Sequence, residues 1–176
     1  LLEIRWSRKG NPVTTDIYTK KVLIFGCGNT LFENDGFGPA VVEYIQANYT
    51  LPETVIAVDA GTGIRDFMFD LLLMDKKPET VIVIDAVTVS GRKKGEIFEM
   101  TLSEVPKEKL SDFSLHQSPS SNLLKELEVE GGVEVKVLGM HTDFIPNEIN
   151  PGLTPEVEAA VPRAAQWVVE QVKGKG

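Results

Sequence analysis

Cysteine occurs once and histidine twice in this chain of 176 residues. A lone Cys27 excludes an internal disulfide and fits a reducing compartment. Basic charge is also scarce: 18 Lys and Arg face 26 Asp and Glu, a formal net charge of −8. Without a basic stripe, nucleic acid is not an expected partner. No apolar run reaches the roughly 18–20 residues of a membrane-spanning helix. The longest are broken by Asp70 or by Gly. The opening Leu1-Leu2-Glu3-Ile4-Arg5-Trp6 lacks the basic-then-apolar order of a signal peptide. A cytoplasmic protein is therefore expected. Two chemical motifs are missing as well. No H-E-x-x-H occurs, and Gly26-Cys27-Gly28-Asn29 is followed by Leu31 where a dinucleotide loop places its third Gly.

The residues that are present describe one domain with a substantial core, 42% of the chain being apolar. Residues 1–20 lack periodicity and contain the turn cluster Gly10, Asn11, Pro12, so an N-terminal arm or peripheral strand is expected ahead of a domain spanning 21–176. From there strands and helices alternate. Strands are expected at Lys21–Phe25, Thr54–Val58, Thr80–Asp85 and Val133–Leu138, each apolar and rich in β-branched residues. Gly95–Thr101 alternates apolar and polar residues, as an edge strand does. Phe37, Val41 and Ile45 share one face of a helix expected over Phe37–Asn48, with Pro39 in its first turn. Ile64–Met74 and a segment begun by Ser118-Pro119 follow the same logic. Thr154-Pro155-Glu156 opens the last helix, which Pro162 should kink or break. The pattern predicts a three-layer α/β/α sandwich with a mostly parallel sheet and one antiparallel edge strand.

In such sheets ligands bind in the crevice beyond the carboxyl ends of the strands. Asp35 falls there, between the turn after the first strand and the next helix. Asp85 ends the apolar run Val81–Ile84, and His116 stands just before a helix start. A helix N-terminus keeps imidazole neutral, the form that binds metal. Two carboxylates and an imidazole suit zinc, nickel or iron better than copper(I), and three ligands leave a position open. Each residue also has a plainer reading. Asp35 could be a solvated loop acid, Asp85 a turn or capping residue, and His116 a structural histidine. His141, beyond the strand Val133–Leu138, competes as third ligand. Cys27 could act as a nucleophile with His116 as base, or simply fill a strand end.

Five motifs occur in order: Gly26-x-Gly28-Asn29 with Asp35-Gly36-x-Gly38, Asp59-x-Gly61-Thr62, Asp85-Ala86, His116-Gln117, and Gly152-Leu153-Thr154-Pro155-Glu156-Val157. From about Val22 to Val169 the chain resembles the hydrogenase maturation endopeptidases. The resemblance implies a protease that removes a short C-terminal extension from the large-subunit precursor of a nickel–iron hydrogenase after nickel insertion. It implies that Asp35, Asp85 and His116 bind the metal and that Asp59, Gly61 and Thr62 take part in substrate recognition. The metal would be nickel carried by the precursor, or zinc or another divalent ion at the same site. His141 has no counterpart among the family's ligands. Two positions depart from the family pattern: Asp35 stands where many relatives carry Glu, and Asn34 replaces a frequent acid. The segment Pro119–Leu124 is similar to the archaeal subgroup that serves deazaflavin-reducing hydrogenases. A non-proteolytic docking module and a nucleotide-binding protein are the alternative classes.

Overall fold

The computed structural model describes residues 5–6, 12–13, 15–105 and 123–175. Two short strands, β1 (Arg5–Trp6) and β2 (Pro12–Val13), pair antiparallel. A 3-10 turn over Thr15–Thr19 follows, and its Ile17 is buried among core side chains. The Tyr18 hydroxyl donates to Asp70 Oδ2 at 2.6 Å.

The main body alternates as its periodicity requires. Its elements are β3 (Val22–Cys27), α1 (Phe37–Asn48), β4 (Val55–Gly61), α2 (Ile64–Leu73), β5 (Thr80–Val87) and β6 (Ile97–Met100). Beyond residue 122 come α3 (Leu123–Val129), β7 (Glu134–His141), α4 (Pro155–Glu158) and α5 (Val161–Val172). The five strands lie in the order β4-β3-β5-β7-β6. β3 pairs in parallel with β4 and β5, and β5 with β7, while β6 runs antiparallel to β7 at the edge. The antiparallel edge strand thus falls within the expected Gly95–Thr101. The start of His116's helix, expected at Ser118-Pro119, lies outside the described residues.

Every residue of β3 and β5 is buried, because helices cover both faces of the sheet. Alternate side chains feed two cores. Leu23, Phe25, Val81 and Val83 pack with Met68 and Leu71 of α2 and Leu124 and Leu127 of α3. Val22, Ile24, Ile82 and Ile84 pack with Phe37, Val41 and Ile45 of α1 and Ala164, Val168 and Val172 of α5. Each large side chain so enclosed contributes roughly 1.5–3 kcal/mol relative to exposure. The last helical stretch breaks between α4 and α5, with Pro162 in the first turn of α5, where its missing N–H costs nothing.

Strands β3, β4, β5 and β7 run longer than their apolar runs. β4 continues through Asp59 to Gly61. The ladder carries the polar residues along, since neighbouring strands supply partners for each N–H and C=O.

The first turn of α1 lies directly on the strand ends. A Cβ on Gly38 would sit 2.3 Å from the Cys27 carbonyl oxygen and 2.5 Å from that of Ile84. A Cβ on Gly26 would lie 2.3 Å from the Gly38 carbonyl oxygen. Glycine at both positions permits this approach of helix to sheet. Gly38→Ala should therefore cost about 1–3 kcal/mol through forced backbone separation. Urea unfolding checks this, and an unchanged midpoint would contradict it.

The opposite, amino end of the strands is closed by the C-terminal segment. Lys175 Nζ donates to Glu134 Oε2 at 2.6 Å and to Thr80 Oγ1 at 2.8 Å, and the Lys175 carbonyl accepts from Thr54 Oγ1 at 2.9 Å. The Lys175 hydrogen bond, reinforced by Thr80, holds the Glu134 carboxyl below its ordinary value of 4.5. A depressed carboxyl contributes stability that is present above that ordinary value and is lost as pH falls through the depressed one. The stability difference between the wild-type protein and Lys175→Met should accordingly shrink below pH 4.5. Denaturant titrations at several pH values measure it, and a difference independent of pH would refute this role for the pair.

Candidate metal and substrate site

The strand order places a topological switch between β3 and β5. The chain leaves β3 through α1 toward β4 on one side, then returns through α2 to β5 on the other. The crevice beyond these two carboxyl ends is where such a sheet accepts ligands. Asp85 belongs to β5 and is 4% exposed. Register parity puts it on the face of Val81 and Val83, beneath α2 and α3. An ionised carboxylate so enclosed needs a positive charge or hydrogen-bond donors beside it.

Asp35 sits in a 3-10 turn, Glu33–Gly36, that joins β3 to α1 and touches β5. The Asn29 N–H donates to Asp35 Oδ2 at 2.7 Å and fixes that carboxylate against the turn after β3. Gly28 is required behind it. Its φ is +123°, and a Cβ there would fall 1.8 Å from the Asp35 carbonyl oxygen. The glycines read from sequence as a tight turn thus serve packing of the acid-bearing loop.

The Asp59 loop reaches the same end of the sheet. The Gly28 N–H donates to the Gly61 carbonyl at 2.9 Å, and Asp59 Oδ1 accepts from the Gly61 N–H at 2.9 Å. The β3–β4 register slips here, Gly26 pairing with Asp59 but Cys27 with Gly61. Such a bulge re-aims the chain at a strand end. Asp59 and Thr62 are exposed on this rim.

Asp35, Asp85 and the Asp59–Thr62 loop therefore share one end of the sheet. His116 and Gln117 lie outside the described residues. Among the described residues there is no group of three or more His, Cys, Asp or Glu side chains able to hold a metal ion. The two carboxylates are hard oxygen donors, and a histidine nitrogen would complete a set suited to nickel or zinc.

His141 has a different task. Its buried ring accepts the Val89 N–H at Nδ1, 3.1 Å away, so its proton resides on Nε2, 3.5 Å from Asp143 Oδ1. The Nδ1 contact ties the β5–β6 connection to the end of β7, and Nε2 faces Asp143 two residues further along the chain. Cys27 is buried within the apolar core beside Phe25 and Val58, as a packing residue would be.

Asn34, noted in the sequence only as a departure from the family pattern, assembles the loop together with Glu33 and Asn150. Asn34 is 1% exposed, and its amide reaches its neighbour Glu33 and two distant segments. Nδ2 donates to Thr142 Oγ1 at 3.1 Å and to Glu33 Oε1 at 3.2 Å, while Oδ1 accepts the Thr154 N–H at 2.9 Å. Glu33 has a φ of +48°. That conformation costs a non-glycine residue on the order of 1 kcal/mol. Asn150 restrains it: the Glu33 N–H donates to the Asn150 carbonyl at 2.8 Å, and Asn150 Nδ2 donates to Glu33 Oε2 at 2.9 Å. Leu31, Phe144 and Ile149 are large apolar side chains exposed along these same segments. No local pattern announces these contacts, because the partners of Asn34 lie 108 and 120 residues away.

Known proteins share this fold. The sequence model of the hydrogenase maturation protease family matches residues 39–171. The delta subunit of the coenzyme F420 hydrogenase of Methanothermobacter thermautotrophicus is 34% identical over 88% of this chain and 96% of its own. The hydrogenase maturating endopeptidase HybD from Escherichia coli superposes with a TM-score of 0.64 at 26% identity, over 89% of this chain and 94% of that one. A hydrogenase 2 maturation peptidase from a Thaumarchaeota archaeon does so with a TM-score of 0.56 at 32% identity, over 86% and 97%. The chain belongs to the hydrogenase maturation protease family.

Proposed function

We propose that this protein removes the C-terminal extension of a nickel–iron hydrogenase large-subunit precursor once nickel is in place, and that Asp35 and Asp85, with His116, recognise that nickel. Membership of the family makes the chain a hydrolase, an endopeptidase of hydrogenase maturation. The observation that carries the site assignment is the convergence of a buried and a loop-held carboxylate on the switch between β3 and β5. Likeness to a coenzyme F420 hydrogenase subunit supports a deazaflavin-reducing hydrogenase as the one served.

The nickel belongs to the substrate, and when bound it supplies a Lewis acid near the scissile carbonyl. The protein's own residues supply the cradle. Asp85 presents its charge from a rigid central strand, and Asp35 presents a second charge held by the Asn29 N–H. The nickel of a loaded precursor would be held by these two carboxylates, and an empty precursor offers them no such ion. The exposed Leu31, Phe144 and Ile149 offer the extension an apolar lip, and Asp59 and Thr62 offer it a polar rim, with the buried Gly61 fixing their loop. The acidic chain favours a basic precursor surface. A reducing compartment such as the cytoplasm suits this chain, with its single cysteine.

Intact-mass spectrometry of the precursor tests the reading. Incubation with this protein should release a short C-terminal peptide from the nickel-loaded form and leave the nickel-free form whole. Asp85→Asn should slow release by about 100-fold or more, the loss of several kcal/mol of charge stabilisation. Efficient cutting of the nickel-free form would reject nickel recognition. Undiminished cutting by Asp85→Asn would reject the assigned residues, and binding without cutting would favour a docking module.

A further inference from the structure

We propose that Asn34 is the positioning residue of this site: its buried amide holds the turn carrying Asp35 against the strand ends that carry Asp85. The inference rests on the site assignment above but on separate contacts. From Asn34 Nδ2 the link runs to Thr142 Oγ1 at 3.1 Å. The Thr142 N–H in turn donates to the Val87 carbonyl at 2.9 Å, two residues beyond Asp85 on β5. On its other side Asn34 Oδ1 takes the Thr154 N–H at 2.9 Å and binds the segment leading into α4. Three separate stretches of chain are thereby referred to the residue next to Asp35.

The chemistry calls for an amide. The Thr142 hydroxyl donates its one proton to the Phe144 carbonyl at 3.2 Å, so it faces Asn34 as an acceptor. The Thr154 N–H faces Asn34 as a donor. Only a side chain that donates in one direction and accepts in the other satisfies both. Aspartate of the same shape keeps the acceptor, loses the donor, and sets a buried negative charge between Glu33 and Asp35. Alanine leaves Thr142 and Thr154 without this partner. The half-strained turn at Glu33, which leans on the same amide through Oε1 at 3.2 Å, is then released as well.

The test reads the position of Asp35 without metal or substrate. The Asn29 N–H donates to Asp35 Oδ2, so its hydrogen exchange, followed by NMR, reports whether the carboxylate stays in place. In Asn34→Ala, Asn34→Asp and the near-isosteric Thr142→Val, Asn29 should exchange roughly tenfold faster or more, while Val83 in the core of β5 keeps its wild-type rate. The Asn34→Ala/Thr142→Val double variant should not exceed Asn34→Ala alone, because that substitution already cuts the link to Thr142. Affinity for added Ni2+, measured against a chromophoric chelator, should fall roughly 10–100-fold. The kcat/KM on loaded precursor should fall with it. Unchanged Asn29 exchange in Asn34→Ala and Thr142→Val, or equal acceleration of Asn29 and Val83, would overturn the proposal. If the wild-type protein neither binds Ni2+ nor cuts precursor while Asn29 alone is accelerated, the positioning role stands and the proposed function falls.

Discussion

The close approach of α1 to the carboxyl ends of β3 and β5 is the constraint on which the rest depends. Gly26 and Gly38 leave no atoms between helix and sheet. Because the helix starts there, the chain leaving β3 has only residues 28–36 in which to turn, and Asp35 falls at the mouth of the central crevice. Gly28 and the Asn29 N–H then fit the acid loop against that turn. A bulkier residue at position 38 would lift the helix and carry Asp35 away from β5. Packing in the core and placement of the carboxylate are therefore one requirement.

The two ends of the strands divide the work. At the amino end, Lys175, Glu134 and Thr80 form a compact polar latch that ties the C-terminal segment to β5 and β7. At the carboxyl end, the same kinds of groups hold a loop in a costly conformation, with Glu33 at positive φ and Asn34 buried. Strain and enclosed polarity persist where surrounding bonds over-determine them, and here the bonds come from Asn150, Thr142 and Thr154. His141 steadies a neighbouring connection in the same way and is engaged at both ring nitrogens.

Much of the architecture was legible because central parallel strands are apolar along their whole length and helices repeat every three to four residues. Phe37, Val41 and Ile45 marked α1 to its exact limits, and Gly95–Thr101 contained the antiparallel edge. Strand ends were less legible. Asp59 looks like a turn residue, yet the ladder with β3 carries β4 past it. Asp35 was readable from its place after β3, whereas Asp85, expected to end its strand, lies inside β5, which the ladder carries on to Val87. Asn34 was not readable, since its meaning lies in Thr142 and Thr154, and long-range hydrogen bonds leave no local pattern. His116 entered through its place before a helix and through likeness to a family, and it lies outside the described residues.

The central claim is that the carboxylates of Asp35 and Asp85 face one metal position at the switch between β3 and β5. Crystals of the protein soaked in a nickel salt and measured at the nickel absorption edge test it most directly. The account predicts one anomalous peak within ligand distance of both carboxylates, with His116 as the nitrogen donor. A peak at His141, or occupancy that survives Asp85→Asn, would contradict it.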